Sequence, residues 1–117
     1  MLWHGLATHL ARPDAKADVG ELKERLLYRA SIETVRCRAD GILATVHEAN
    51  VGSIFGIGFP AVHGGAIQYI NGFEGKAGRG PAGFVARARE LAAKYGERFE
   101  PPASLVAVAE AGGTFPA

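Results

Sequence analysis

The chain has 117 residues, 48% of them hydrophobic, which suits one small domain that buries most of its apolar surface. Thirteen Lys and Arg against 12 Asp and Glu leave a formal charge of +1, a balance that points away from nucleic acid or a strongly anionic partner. The single cysteine, Cys37, excludes an internal disulfide framework and suits a reducing compartment. No apolar run approaches the ~20 residues of a membrane span. Met1 to Leu6 lacks the basic start and long apolar core of a signal peptide, so a cytoplasmic protein is expected.

In chain order, residues 1–17 open with Leu2, Trp3, Leu6 and Leu10, spaced like one helical face, until Arg12-Pro13-Asp14-Ala15 breaks the pattern. This segment reads as a helical remnant or a strap on the domain, which is drawn over residues 18–117. A long helix is predicted over 19–39. Asp18 serves as N-cap with Glu21 three residues on, and Gly41 stops the helix after Asp40. Leu22, Leu26, Leu27, Ala30, Val35 and Cys37 supply its apolar face, and Glu21–Arg25 is spaced for an exposed ion pair. Within that face Cys37 reads as a buried small hydrophobe rather than a reactive thiol.

Thr45-Val46-His47-Glu48 is a Thr-x-x-Glu capping box, and it predicts a second helix over 46–55. A third is expected over 65–71, then a polar glycine-rich loop over 72–80 containing Lys76 and Arg79. Pro81 occupies the favoured first position of a helix over 81–95, with Phe84, Val85, Ala88, Leu91, Ala92 and Tyr95 as its stripe. Pro101-Pro102 open a fifth helix that reaches about residue 111 and closes at Gly112-Gly113. No segment alternates like a strand, and the fold class is all-α: a small bundle of about five helices.

Between the second and third helices lies Gly56-Ile57-Gly58-Phe59-Pro60, with Gly64-Gly65-Ala66 soon after. As a string, Gly56-x-Gly58-x-x-Ala61 fits a dinucleotide-binding fingerprint. That motif needs a strand before the glycines and a helix after them, and a free N–H where Pro60 has none. A structural corner is the better reading: Gly56 ends the helix in a left-handed cap, Gly58 lets the backbone turn, Phe59 plugs the core and Pro60 fixes the exit.

Chemistry-bearing residues are sparse. His4, His9, His47 and His63 show no metal-ligand spacing with one another, with Cys37 or with a carboxylate. His47 is expected to be exposed in a first helical turn, and His63 to be a buried, hydrogen-bonded loop residue lacking an acid or nucleophile partner. Ser31, Ser53 and Ser104 lack a nucleophile-elbow setting. Lys76 and Arg79 precede a helix start where an anion can bind, but a solvated loop is the favoured reading. Taken residue by residue, no catalytic, cofactor-binding or metal site emerges.

Several blocks nonetheless carry a resemblance. Glu21-Leu22-Lys23-Glu24-Arg25-Leu26-Leu27-Tyr28, Glu33-Thr34-Val35-Arg36-Cys37, Asp40-Gly41-Ile42, the run from Ala49 to Pro60, His63-Gly64-Gly65-Ala66-Ile67-Gln68-Tyr69-Ile70 and Tyr95-Gly96-Glu97-Arg98-Phe99-Glu100-Pro101-Pro102 succeed one another in order. Together, over about residues 19–106, they resemble the C-terminal helical domain of 3-hydroxyacyl-CoA dehydrogenases. The resemblance is greatest to the last copy of that domain in the multifunctional α-subunit of fatty-acid β-oxidation. Val62 departs from the pattern, since relatives often place a bulky aromatic or Thr before the Gly-Gly pair.

The resemblance implies a helical domain that packs against a sister repeat, supports the nucleotide-binding domain and helps form the acyl-CoA cleft. It implies NAD as cofactor of the full-length enzyme, with none in this chain, and acyl-CoA as ligand of the assembled enzyme alone. The family's catalytic His–Glu pair lies in a domain this sequence does not contain, so no catalytic residue is carried over. A stand-alone chain is expected to expose the face that a sister domain covers, and therefore to form a homodimer. The alternatives are an independent acyl-CoA-binding module using the corner and the Lys76–Arg79 loop, or a protein-interaction module.

Overall fold

The structure, a computed structural model, describes residues 1–116; Ala117, which ends the domain drawn over 18–117, lies outside the described residues. Six α-helices are found among them: α1 Gly5–His9, α2 Val19–Ala39, α3 Val46–Ile57, α4 Ala66–Asn71, α5 Gly80–Tyr95 and α6 Ala103–Glu110. Short 3-10 turns occupy Ala61–His63 and Glu97–Phe99. The all-α class holds. The 72–80 loop differs from expectation in one respect: it folds back as a two-stranded antiparallel ribbon, β1 Glu74–Gly75 with β2 Gly78–Arg79. Strands of two residues are too short to alternate visibly, and that is why the sequence shows no sign of them.

The long helices begin and end where local chemistry places them. Asp18 accepts a hydrogen bond from the Glu21 N–H at 3.1 Å, and Gly41 leaves α2 at φ 76°. The Thr45 hydroxyl accepts from the Glu48 N–H at 3.1 Å, while the Glu48 carboxylate returns to the Thr45 N–H at 3.3 Å, so both halves of the capping box are made. Pro81 stands in the first turn of α5, where its missing N–H costs nothing.

The core forms where α5 meets α2, α4 and α6. Phe84, Val85, Ala88, Leu91 and Ala92 are buried along α5 as the stripe predicts, with Tyr95 half-buried at its end. The Tyr28 ring lies parallel to Phe84 at 4.0 Å between centroids, and the edges of Phe73 and Tyr69 close the cluster at 5.8 and 6.2 Å from Tyr28. Each fully buried large side chain here is worth about 1.5–3 kcal/mol of transfer free energy. The Tyr28 hydroxyl, wholly enclosed, donates to the Phe84 carbonyl at 3.4 Å, and burial pushes its ionisation well above the ordinary tyrosine range. At the C-terminal end Asn71 holds the backbone of Phe115 with both its amide atoms, at 3.0 and 2.9 Å. That clamp seats the Phe115 ring in the core.

Helix α2 corrects the predicted apolar face. Its buried side is Tyr28, Ser31, Ile32, Thr34 and Val35, whereas Leu22 and Leu26 are exposed, and Leu27, Ala30 and Cys37 are half-buried. The helix carries apolar residues on two faces, and the bundle covers only one. The Glu21–Arg25 pair is likewise replaced. Glu21 turns across to α5, where Lys94 Nζ lies at 2.6 Å, Arg87 at 3.5 Å and the Tyr95 hydroxyl also donates to it. Arg25 instead lays its guanidinium over the Tyr95 ring, 3.8 Å from the centroid. Beside it Arg87 grips Glu24 with two nitrogens, at 3.0 and 2.7 Å, and reaches Glu90 at 2.9 Å.

Candidate interaction surface at the glycine corner

The Gly-x-Gly corner is delivered by a helix rather than a strand. Helix α3 runs through Gly56, whose backbone is ordinary and whose absent side chain would meet nothing. The left-handed cap stands two residues later than expected, at Gly58 (φ 71°, ψ 30°), with the Phe59 N–H donating to the Ser53 carbonyl at 3.0 Å. Phe59 turns inward and is 4% exposed, Pro60 leads out at φ −58°, and a 3-10 turn over Ala61–His63 ends at Gly64.

The tightest point of the corner is Gly65. A Cβ there would sit 2.5 Å from the Asn50 Cα, and the residue adopts φ 109° besides, so glycine is required on both counts. This close approach lets α3 cap α4. The Asn50 Oδ1 accepts from the N–H groups of Ile67 and Gln68 at 3.0 and 2.9 Å, and the Ser53 Oγ accepts from the Ala66 N–H at 3.0 Å. Ser53 in turn donates to the Asn50 carbonyl at 2.9 Å. Three of the orphan donors at the α4 N-terminus are thus satisfied by side chains from another helix. Sequence reading does not assign Asn50 and Ser53 this role, because capping rules look one to three residues away and these caps reach back 13 to 18.

The histidines stay apart. His47 is exposed in the first turn of α3, as expected. His63 is half-buried and held by rings: Tyr69 at 4.9 Å and Phe59 at 6.2 Å between centroids. The hydrogen-bonded setting expected for it is replaced by these aromatic contacts; among the described residues its imidazole has no hydrogen-bond partner. Burial pushes the neighbouring Tyr69 hydroxyl up to about 12, so it stays protonated beside that ring. Among the described residues no group of three His, Cys, Asp or Glu is placed to hold a metal. The loop cation Arg79 pairs with Glu74 at 3.5 Å across the exposed ribbon.

What the corner does build is an apolar groove between α2 and α3. One part, about 570 Å³, is lined by Lys23, Leu26, Leu27, Ala30, Ile57 and Phe59 among others; a second, about 510 Å³, shares Ala30 and Ile57 and continues to Cys37 and Leu43. Its rim is unusually apolar for surface. Leu26 and Ile57, which line it, are 74% and 66% exposed, whereas Phe55 and Val62, 86% and 87% exposed, lie outside its lining. Scattered exposed apolar residues need no explanation, but Leu26, Leu27, Ala30 and Ile57 gathered along one groove mark a surface for something else to cover.

No protein-family model matches the chain. Among curated proteins, the fatty acid oxidation complex subunit alpha of Shewanella amazonensis is 38% identical over 103 residues, covering 88% of this chain and 14% of that protein. The protein of the same name from Vibrio parahaemolyticus is 35% identical over 103 residues, with the same shares covered. That from Pseudomonas savastanoi pv. phaseolicola is 44% identical over 84 residues, 72% of this chain and 11% of its own length. The chain spans about one seventh of the relatives it matches, and the matching part is C-terminal.

Proposed function

We propose that this chain, homologous to a C-terminal part of fatty acid oxidation complex α subunits, is a non-catalytic helical domain of an NAD-dependent 3-hydroxyacyl-CoA dehydrogenase. Its work is assembly. The α2–α3 face packs against a sister dehydrogenase domain or a second copy of the chain, and the packed pair supports the acyl-CoA cleft of the whole enzyme. The observation that carries this reading is the uncovered apolar groove lined by Leu26, Leu27, Ala30 and Ile57. The sparse chemistry agrees. Buried Tyr28 and half-buried Tyr69 are held protonated by loss of solvent, and the Glu21, Glu24 and Arg87 charges are spent on one another in joining α2 to α5.

Calorimetric titration of the purified chain with NAD and with a long-chain acyl-CoA tests the proposal. No saturable heat from either is expected, and no turnover of a 3-hydroxyacyl-CoA. Saturable binding of the acyl-CoA would favour the independent acyl-CoA-binding module, and turnover would overturn the assembly reading outright.

A further inference from the structure

The chain carries a second uncovered apolar surface. Leu2, Leu6 and Leu10 recur every fourth residue across α1 and its two flanks and are 83%, 41% and 68% exposed, with Trp3 at 57%. This segment is locally organised: the Leu6 N–H donates to the Trp3 carbonyl at 3.1 Å, and the Trp3 ring stacks on His9 at 5.6 Å and 9°. Yet α1 contributes no residue to the core. The radius of gyration, 15.9 Å, accordingly exceeds the roughly 13 Å of a well-packed chain of this length.

We propose that residues 1–10 are a strap that closes over the α2–α3 groove of their own chain. Reach permits it. The stretch from Leu10 to Asp18 can extend about 26–29 Å, while Leu26 lies only about 12 Å along α2 from Asp18. Size permits it too, since residues 2–10 as a helix span about 13 Å and the groove follows α2 from Lys23 to Cys37, about 21 Å. A short tether holds the strap at an effective concentration in the millimolar range, far above the micromolar concentration of a second copy. The closed strap then competes with any partner for the groove. Only that competition rests on the groove being the association face; closure itself does not.

Trp3 is the chain's one tryptophan and reports closure directly. Its emission should be blue-shifted and independent of protein concentration. The scattering radius of gyration should fall toward about 13 Å. Both effects should be lost in Ile57→Asp, which charges the groove, and in the double variant Leu6→Asp/Leu10→Asp, which touches no core residue and guards against misfolding of the first. Emission that shifts only as concentration rises would overturn closure within one chain and show straps exchanged between copies. Solvent-exposed emission unaffected by either variant would overturn the strap altogether. The double variant should also self-associate at least tenfold more tightly than the parent chain. If neither self-associates, the association reading fails while the Trp3 emission still decides the strap.

Discussion

Replacing Asn50 by alanine removes the acceptor that two α4 amides share, at 3.0 and 2.9 Å. Losing a capping side chain typically costs about 1 kcal/mol. Here the cost should be larger. Ile67 is fully buried, so its freed N–H has no water to turn to, a penalty of about 1–3 kcal/mol. Gln68 is exposed, and its N–H can take a water instead. The sum is about 2–4 kcal/mol, which for a domain of this size lowers Tm by roughly 8–20 °C. Thermal and urea unfolding followed by circular dichroism measure it. Asn50→Asp is the matched control: it keeps the acceptor and adds a negative charge at the α4 N-terminus, worth about 0.3–1 kcal/mol, so it should match or exceed the parent. An alanine variant within about 0.5 kcal/mol of the parent would refute the capping account. So would an aspartate variant as unstable as the alanine one.

Two further outcomes follow from the same contacts. Glu21 is held down to about 2 by hydrogen bonds from Lys94 first and the Tyr95 hydroxyl second, against an ordinary value of 4.5. A depressed carboxyl stabilises the fold above its unfolded value and loses that contribution as pH falls through the folded one. The stability gap between the parent and Glu21→Gln should therefore be full above about pH 4.5 and close toward pH 2; a gap constant across that window in acid-titrated urea melts would contradict it. Gly65→Ala should cost about 3 kcal/mol or more, because the new methyl falls on the Asn50 backbone and the residue must keep a positive φ. Unfolding measurements that place it beside an exposed Gly→Ala change would rule that collision out.

Much of this bundle is written locally. Asp18, the Thr45–Glu48 box, Gly41 and Pro81 mark helix ends through contacts within a few residues, and the α5 stripe is covered on one side as its spacing predicts. What spacing cannot convey is which of two apolar faces finds a neighbour. Leu22 and Leu26, on the predicted face, repeat at the same four-residue interval as Tyr28 and Ile32, which that face omits, but lie on the side of α2 that the bundle leaves open. Gly56 and Gly58 are equally able to end a helix, and the chain uses the later one. The ribbon, the Asn50 and Ser53 caps, and the exchange of Glu21 from Arg25 to Lys94 all depend on residues distant in sequence. The corner itself is legible as a place of constraint. Its consequence, the groove, becomes visible only once α3 is laid beside α2.

The caps that α3 lends to α4 also bear on how the chain finds its fold. A six-residue helix is far too short to persist alone in water, and α4 has no capping side chain of its own to start it. It can become helical only after α3 has formed and the intervening loop has closed with Gly65 against Asn50. Helix α4 should therefore be a late and dependent event, and the amide hydrogens of Ala66, Ile67 and Gln68 should exchange with solvent in step with the opening of the α3–α4 contact. Since α4 also supplies Ile67 and Ile70 to the packed interior, the bundle as a whole waits on one turn of chain reaching one asparagine.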